Sequence, residues 1–188
     1  MQKIFFTMIL ALLLSSTQAA ELSGVFIEEK IELDDDQSLI LNGAGLRERL
    51  WFDIYVGSLY LTEKSTDVAE VLSKPGPLRI QLDFVYKEVS REKLLEAWRD
   101  GFEKNQSEAS MTKLKARIEQ FYAYFDKAAV AKDRYQFDYL PELGTRISIN
   151  NEVVGTIPGM DFKNALVEIW LGNHPADKNL KRSMLGIW

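Results

Sequence analysis

The sequence predicts an α+β fold in which an antiparallel β-sheet carries helices packed on one face. Three observations predict it. Period-two segments rich in aromatic and β-branched residues come in hairpin-like groups, helical stripes cluster between and after those groups, and no regular alternation of strand and helix runs along the chain.

The chain opens with Lys3, then an apolar run over 4–14 broken only by Thr7, then Ser15, Ser16, Thr17, Gln18 and Ala19. Charge, short apolar core and small residues in that order are what a signal peptidase reads. The run is too short to span hydrocarbon, which takes about 20 apolar residues. Residues 1–19 are therefore expected to be a cleaved signal peptide, with Ala20 as the alternative cut. Residues 20–188 follow as a single soluble, periplasmic domain, uninterrupted by repeats or Pro/Gly/Ser linkers.

Removing the leader takes one lysine and no acid, so 23 basic and 28 acidic residues become 22 and 28, a net charge of −6. Such a surface repels nucleic acid and anionic membranes. No second apolar segment is long enough to cross a membrane, so no stable membrane insertion is expected. With 0 cysteines, stability in an oxidising compartment cannot rest on disulfides.

Residues 24–33 alternate weakly through Val25, Ile27, Ile31 and Leu33. The acidic turn Asp34, Asp35, Asp36 leads into a short strand over 38–42. Residues 50–62 form a long strand, 67–73 a short helical turn stopped by Pro75, and 78–86 a half-buried strand with one wet face. Ser90 caps a helix with Leu94, Leu95, Ala97, Trp98 and Phe102 on one stripe. Ser107 caps a second helix, with Leu114, Ile118 and Phe121. Period two returns over 134–140, and Asn150-Asn151 marks a hairpin between 146–149 and 152–157. Phe162, Ala165, Leu166, Ile169 and Trp170 then stripe a helix ending at Gly172, and a short basic helix covers 177–185.

Metal chemistry has little to stand on. His174 is the sole histidine, a loop residue after a helix, and the acidic run at 34–36 lacks EF-hand spacing and its glycine. No metal or other cofactor is expected. A serine-histidine triad would need a strained elbow, and no Gly-x-Ser-x-Gly occurs. Gly43-Ala44-Gly45 lacks the third glycine of a dinucleotide loop and has Glu48 there. It reads as a turn between two strands, its glycines at positive φ. Fold logic puts a ligand between sheet and helices.

Leu41-Asn42-Gly43-Ala44-Gly45-Leu46-Arg47, the strand end Tyr55-Val56-Gly57-Ser58-Leu59-Tyr60-Leu61 and Ile169-Trp170-Leu171-Gly172 stand in register along nearly the whole mature chain. In these motifs the sequence resembles the chalcone-isomerase-fold family, and within it the exported bacterial chalcone-isomerase-like branch. The resemblance implies a chalcone-isomerase-like fold and a cleft whose substrate-facing arginine is Arg47. It puts Tyr55 where the plant enzymes have a water-activating threonine. It puts Ser90 and Ala97 where they have a tyrosine and an asparagine, and Ile169 where they have a hydroxyl residue. Losing those donors removes oxyanion stabilisation, so the isomerase activity is not carried over. Ser90, Ala97 and Ile169 remain cleft-lining by resemblance, with no catalytic residue.

Arginine with a neighbouring tyrosine is the pair that fatty-acid-binding relatives use on a carboxylate. A guanidinium offers a planar fork, a phenol adds a donor, and an apolar groove takes the tail. The expected function is thus non-catalytic binding of a small lipophilic acid such as a fatty acid, with Arg47 and Tyr55 as ligand-binding residues. Two readings compete with it: an intramolecular lyase or isomerase using Arg47 as electrophile and Tyr55 as acid, and a protein-interaction module. Arg47 could instead pair with Glu48 or an acid at 34–36, and Tyr55 could simply fill the core.

Overall fold

The computed structural model describes residues 20–33 and 37–187. The expected signal peptide and the acidic turn at 34–36 lie outside them. Strands β1 (Ala20–Leu22) and β2 (Val25–Ile27) form a small antiparallel ribbon. Next come β3 (Lys30–Glu32), β4 (Ser38–Arg49), β5 (Phe52–Leu61), helix α1 (Val68–Ser73) and β6 (Leu78–Phe84). A second ribbon pairs β7 (Glu88–Val89) with β8 (Ala129–Val130). Helices α2 (Arg91–Asn105) and α3 (Glu108–Ala123) lie between its strands in sequence. The series ends with β9 (Arg134–Leu140), β10 (Gly144–Ile149), β11 (Glu152–Ile157), α4 (Met160–Leu171) and α5 (Lys178–Met184).

Seven strands make one antiparallel sheet in the order β11-β10-β9-β6-β5-β4-β3. The local signals act as expected. Ser90 and Ser107 accept the N–H of Lys93 and of Ser110, and Asp177 accepts two N–H groups at the start of α5. Asn150 and Asn151 take φ of 52° and 68°, the mirror-image turn that suits a two-residue hairpin.

The helices cover one face. Leu59, Ile80, Leu82 and Phe137 of the sheet pack with Trp98 and Phe102 of α2, Phe121 of α3 and Leu166 and Trp170 of α4. On the other face a smaller cluster joins Ile27, Ile31 and Leu39 to Val56, Tyr60 and Leu140.

Three expectations change here. Gly43-Ala44-Gly45 is no turn; it lies inside β4, and neither glycine has positive φ. The glycines are needed for close approach instead. A Cβ on Gly43 would stand 2.1 Å from the Ser183 carbonyl oxygen, and one on Gly45 2.5 Å from the Ser183 side chain, so α5 lies directly on β4. The strand expected over 50–62 begins at Phe52, because Leu50 and Trp51 form the turn after β4. Finally, β6 has no wet face.

Gln81 and Asp83 of β6 are 5% and 7% exposed. Their burial is tolerated because each finds a partner directly across a strand. Arg79 grips Asp138 with two N–H groups at 2.5 and 2.8 Å, and Arg146 on the next strand reaches the same carboxylate at 3.1 Å. Arg134 donates to Asp83 at 2.6 Å, and Gln136 donates to Gln81 at 3.1 Å.

Candidate functional site

Arg47 on β4 and Tyr55 on β5 are direct cross-strand partners. Their side chains therefore leave the sheet on the same face. That face is the helical one, since Trp170 Nε1 of α4 donates to the Tyr55 oxygen at 2.9 Å. Two local features set their position. The glycines at 43, 45 and 57 let α5 rest on the strands just before them, with Gly57 facing Leu180. Beyond Arg47 the pairing slips by one residue, so that Glu48 faces Asp53 and Ile54 is the extra residue of a bulge. The Ile54 carbonyl accepts both the Val85 and the Tyr86 N–H, at 3.0 and 3.1 Å. A bulge of this kind re-aims the strand end.

The result is a half-open cleft of about 340 Å³ between the sheet end and α2. Tyr55, Phe84 and Trp98 line its deep part; all three are buried. Ile54, Leu94 and Ala97 add apolar wall, while Leu50, Phe52 and Tyr86 belong to its more exposed rim. Its volume lies at the small end of ligand pockets.

Two buried N–H donors of the cleft lack an acceptor among the described residues. Burial pushes the Tyr55 phenol up from its ordinary value of 10.0, against the opposing charge of Arg47, so the phenol keeps its proton. Its oxygen receives the Trp170 N–H, and among the described residues nothing accepts its own proton. Arg47 lies beside it, with Cζ 5.4 Å from the phenol ring centroid. The Arg47 Nε is buried and has no acceptor, and Arg47 forms no ion pair among the described residues, Glu48 included. Trp98 Nε1 is a second buried donor without an acceptor among the described residues.

Buried donors are nearly always answered. Three on residues that line one cleft make a place for an acceptor-only group, and an ionised carboxylate is such a group.

Of the residues singled out from sequence, Arg47, Tyr55 and Ala97 line this cleft. Ser90 and Ile169 are not among its lining residues. The Ser90 hydroxyl caps α2, accepting the Lys93 N–H at 3.4 Å. Ile169 is 2% exposed and packs against Gly101, where an added Cβ would meet it at 2.8 Å. Trp98 is the residue that sequence reasoning missed. It reads as one more member of an apolar stripe, and a stripe carries no signal about where an indole N–H will point. His174 sits in the loop after α4, its N–H donating to Asn105 at 2.9 Å.

Fold and cleft together define an α+β protein with a helix-backed antiparallel sheet and a cleft headed by an arginine that has no ion pair among the described residues. The chain belongs to the chalcone isomerase-like family, whose model matches residues 19–186. Among solved structures it is similar to a fatty-acid binding protein of Arabidopsis thaliana. The TM-score is 0.64 at 16% identity, over 87% of this chain and 92% of that one. At that identity the likeness is one of fold. No curated protein matches the chain.

Proposed function

We propose that the protein is an exported, periplasmic and non-catalytic binder of a small lipophilic carboxylate, with a fatty acid as the ligand class. The observation that carries this reading is the pair of buried N–H donors without an acceptor among the described residues, on Arg47 and Trp98, that flank the Tyr55 hydroxyl at one cleft. The guanidinium takes the carboxylate, the phenol and the indole N–H add neutral donors, and the tail lies along Ile54, Leu94 and Ala97. Each buried CH₂ contributes about 0.8 kcal/mol. The fatty-acid binding protein that shares the fold is consistent with this ligand class. Residues 1–19 direct export and are removed.

Calorimetric titration of the protein with a medium-chain acid and its methyl ester tests the site. The acid should bind and the ester should not, since the ester lacks the charge that the guanidinium recognises. Trp98→Phe keeps an aromatic side chain but removes the indole donor, and in the folded protein should weaken acid binding by about threefold to tenfold. Equal affinity for acid and ester would overturn the reading. Ring closure of a chalcone, followed by absorbance, should stay at background; a saturable rate lost in Arg47→Ala would restore the enzyme.

A further inference from the structure

The turn between β4 and β5 breaks two rules at one place. Leu50, Trp51 and Phe52 are 83%, 94% and 51% exposed, three large apolar side chains in succession. Single exposed apolar residues are ordinary, but a contiguous group marks an interaction site. Arg49 pairs with Phe52, so Leu50 and Trp51 are the whole loop, and of the two only Leu50 has positive φ, at 60°. That is the turn whose first central position normally takes glycine. Here the position holds leucine instead. A side chain kept where both solvent and backbone oppose it points to a use outside the isolated fold.

We propose that this tip docks the protein on a lipid bilayer, with Trp51 in the interface and the mouth of the cleft against the surface. Its shape and size favour a membrane over a protein partner. Three such side chains offer no more than roughly 600 Å², below the about 800 Å² that each partner of a stable protein interface buries. A narrow convex loop with a central tryptophan suits the headgroup boundary, where amphipathic rings concentrate.

The tip is also continuous with the cleft, because Leu50 and Phe52 line both. Behind it, the three cations Arg47, Arg49 and Lys93 are matched in number by Glu48, Glu88 and Glu96. Apolar contact rather than charge therefore drives the docking, and the target is a zwitterionic surface. The contact is peripheral: among the described residues no helix is long and apolar enough to cross a membrane. Delivery of an acyl chain through this mouth rests on the proposed ligand, whereas the docking itself does not.

The test is co-flotation of the purified protein with phosphatidylcholine vesicles, together with quenching of tryptophan fluorescence by brominated lipid. Wild type should float and be quenched. Trp51→Ser should partition about tenfold or more weakly, while binding a soluble acid as wild type does. Leu50→Gly should also float less, yet be as stable as wild type or more so, because glycine adopts positive φ freely. A wild-type protein that stays in solution, or a Trp51→Ser protein that floats as well as wild type, would overturn the proposal. So would self-association without vesicles that Trp51→Ser abolishes, which would make a second copy the partner. Flotation by a protein that binds no acid would leave the docking standing and sink the ligand reading alone.

Discussion

The two faces of the sheet treat their buried charges differently. On the face away from the helices, Asp138 is 1% exposed and is held by Arg79 and Arg146, while Asp83 is held by Arg134. At the cleft end of the helical face, among the described residues, Arg47 has no anion, and its Nε and the indole N–H of Trp98 have no acceptor. The first face shows that this chain can match buried charges strand by strand. Buried polar atoms without a partner among the described residues also occur elsewhere, at Ser58 and Thr145, so it is the gathering of such donors at one cleft that supports the proposed ligand.

Asp138→Asn should have the largest effect. It keeps the shape and removes the charge that two arginines share, and breaking a buried ionic set costs about 3–5 kcal/mol. Urea unfolding measures this, and the protein that remains folded should bind acid normally. A loss below about 1 kcal/mol would mean that water, and not the carboxylate, answers those arginines.

Arg47→Ala should do the reverse. Its cation–π contact with the Tyr55 ring is lost but no ion pair is broken, so stability should fall by no more than about 1 kcal/mol. Charge-assisted hydrogen bonds are worth about 1.5–3 kcal/mol, so acid binding should weaken by about tenfold to more than a hundredfold. A folded Arg47→Ala protein that binds as tightly as wild type would erase the contrast between the faces.

Tyr55 belongs to both regimes, since its oxygen serves Trp170 and its proton is open. Tyr55→Phe should lower stability by about 1 kcal/mol, through the stranded indole N–H, and weaken acid binding by about 0.5–1.5 kcal/mol. Titration and unfolding on one preparation would separate the two. An effect on stability alone would reduce Tyr55 to a core residue.

Lys163 gives the smallest and most diagnostic effect. It is 1% exposed, its ammonium donates to the Leu72 carbonyl at 2.9 Å, and it sits 5.2 Å from the Tyr139 ring centroid, with no carboxylate paired to it among the described residues. Burial pulls its pKa from 10.5 down to about 8. Below that value both folded and unfolded chains hold the proton, and the fold bears the cost of burying it. Between about 8 and 10.5 the unfolded chain binds more protons, so stability rises with pH. Lys163→Met should flatten this rise without altering acid binding, as thermal midpoints from pH 7 to 9.5 would reveal. An identical pH profile in the variant would place the ammonium in water.

Much of the fold was legible because its signals are local. Ser90, Ser107 and Asp177 begin helices where they stand, Gly172 ends one, and Asn150-Asn151 turns a hairpin. Other segments misled because the deciding partner is remote. Gly43 and Gly45 look like a turn until α5, about 140 residues later, is seen to lie on them. Arg79, Gln81 and Asp83 look like a wet face until β9 supplies their partners.

By itself the sequence determined the α+β class and most of the strands and helices in order, while the pairing of Arg47 with Tyr55 came from the resemblance to a family. Period, caps and turn residues act over a few positions, so one strand of text is enough to read them. Only the tertiary structure decided which polar groups are answered. Arg79 meets Asp138 across 59 residues, Trp170 meets Tyr55 across 115, and among the described residues Arg47 Nε and Trp98 Nε1 meet no acceptor. Whether a donor is satisfied depends on which distant backbone arrives within about 3 Å of it, and packing alone sets that distance.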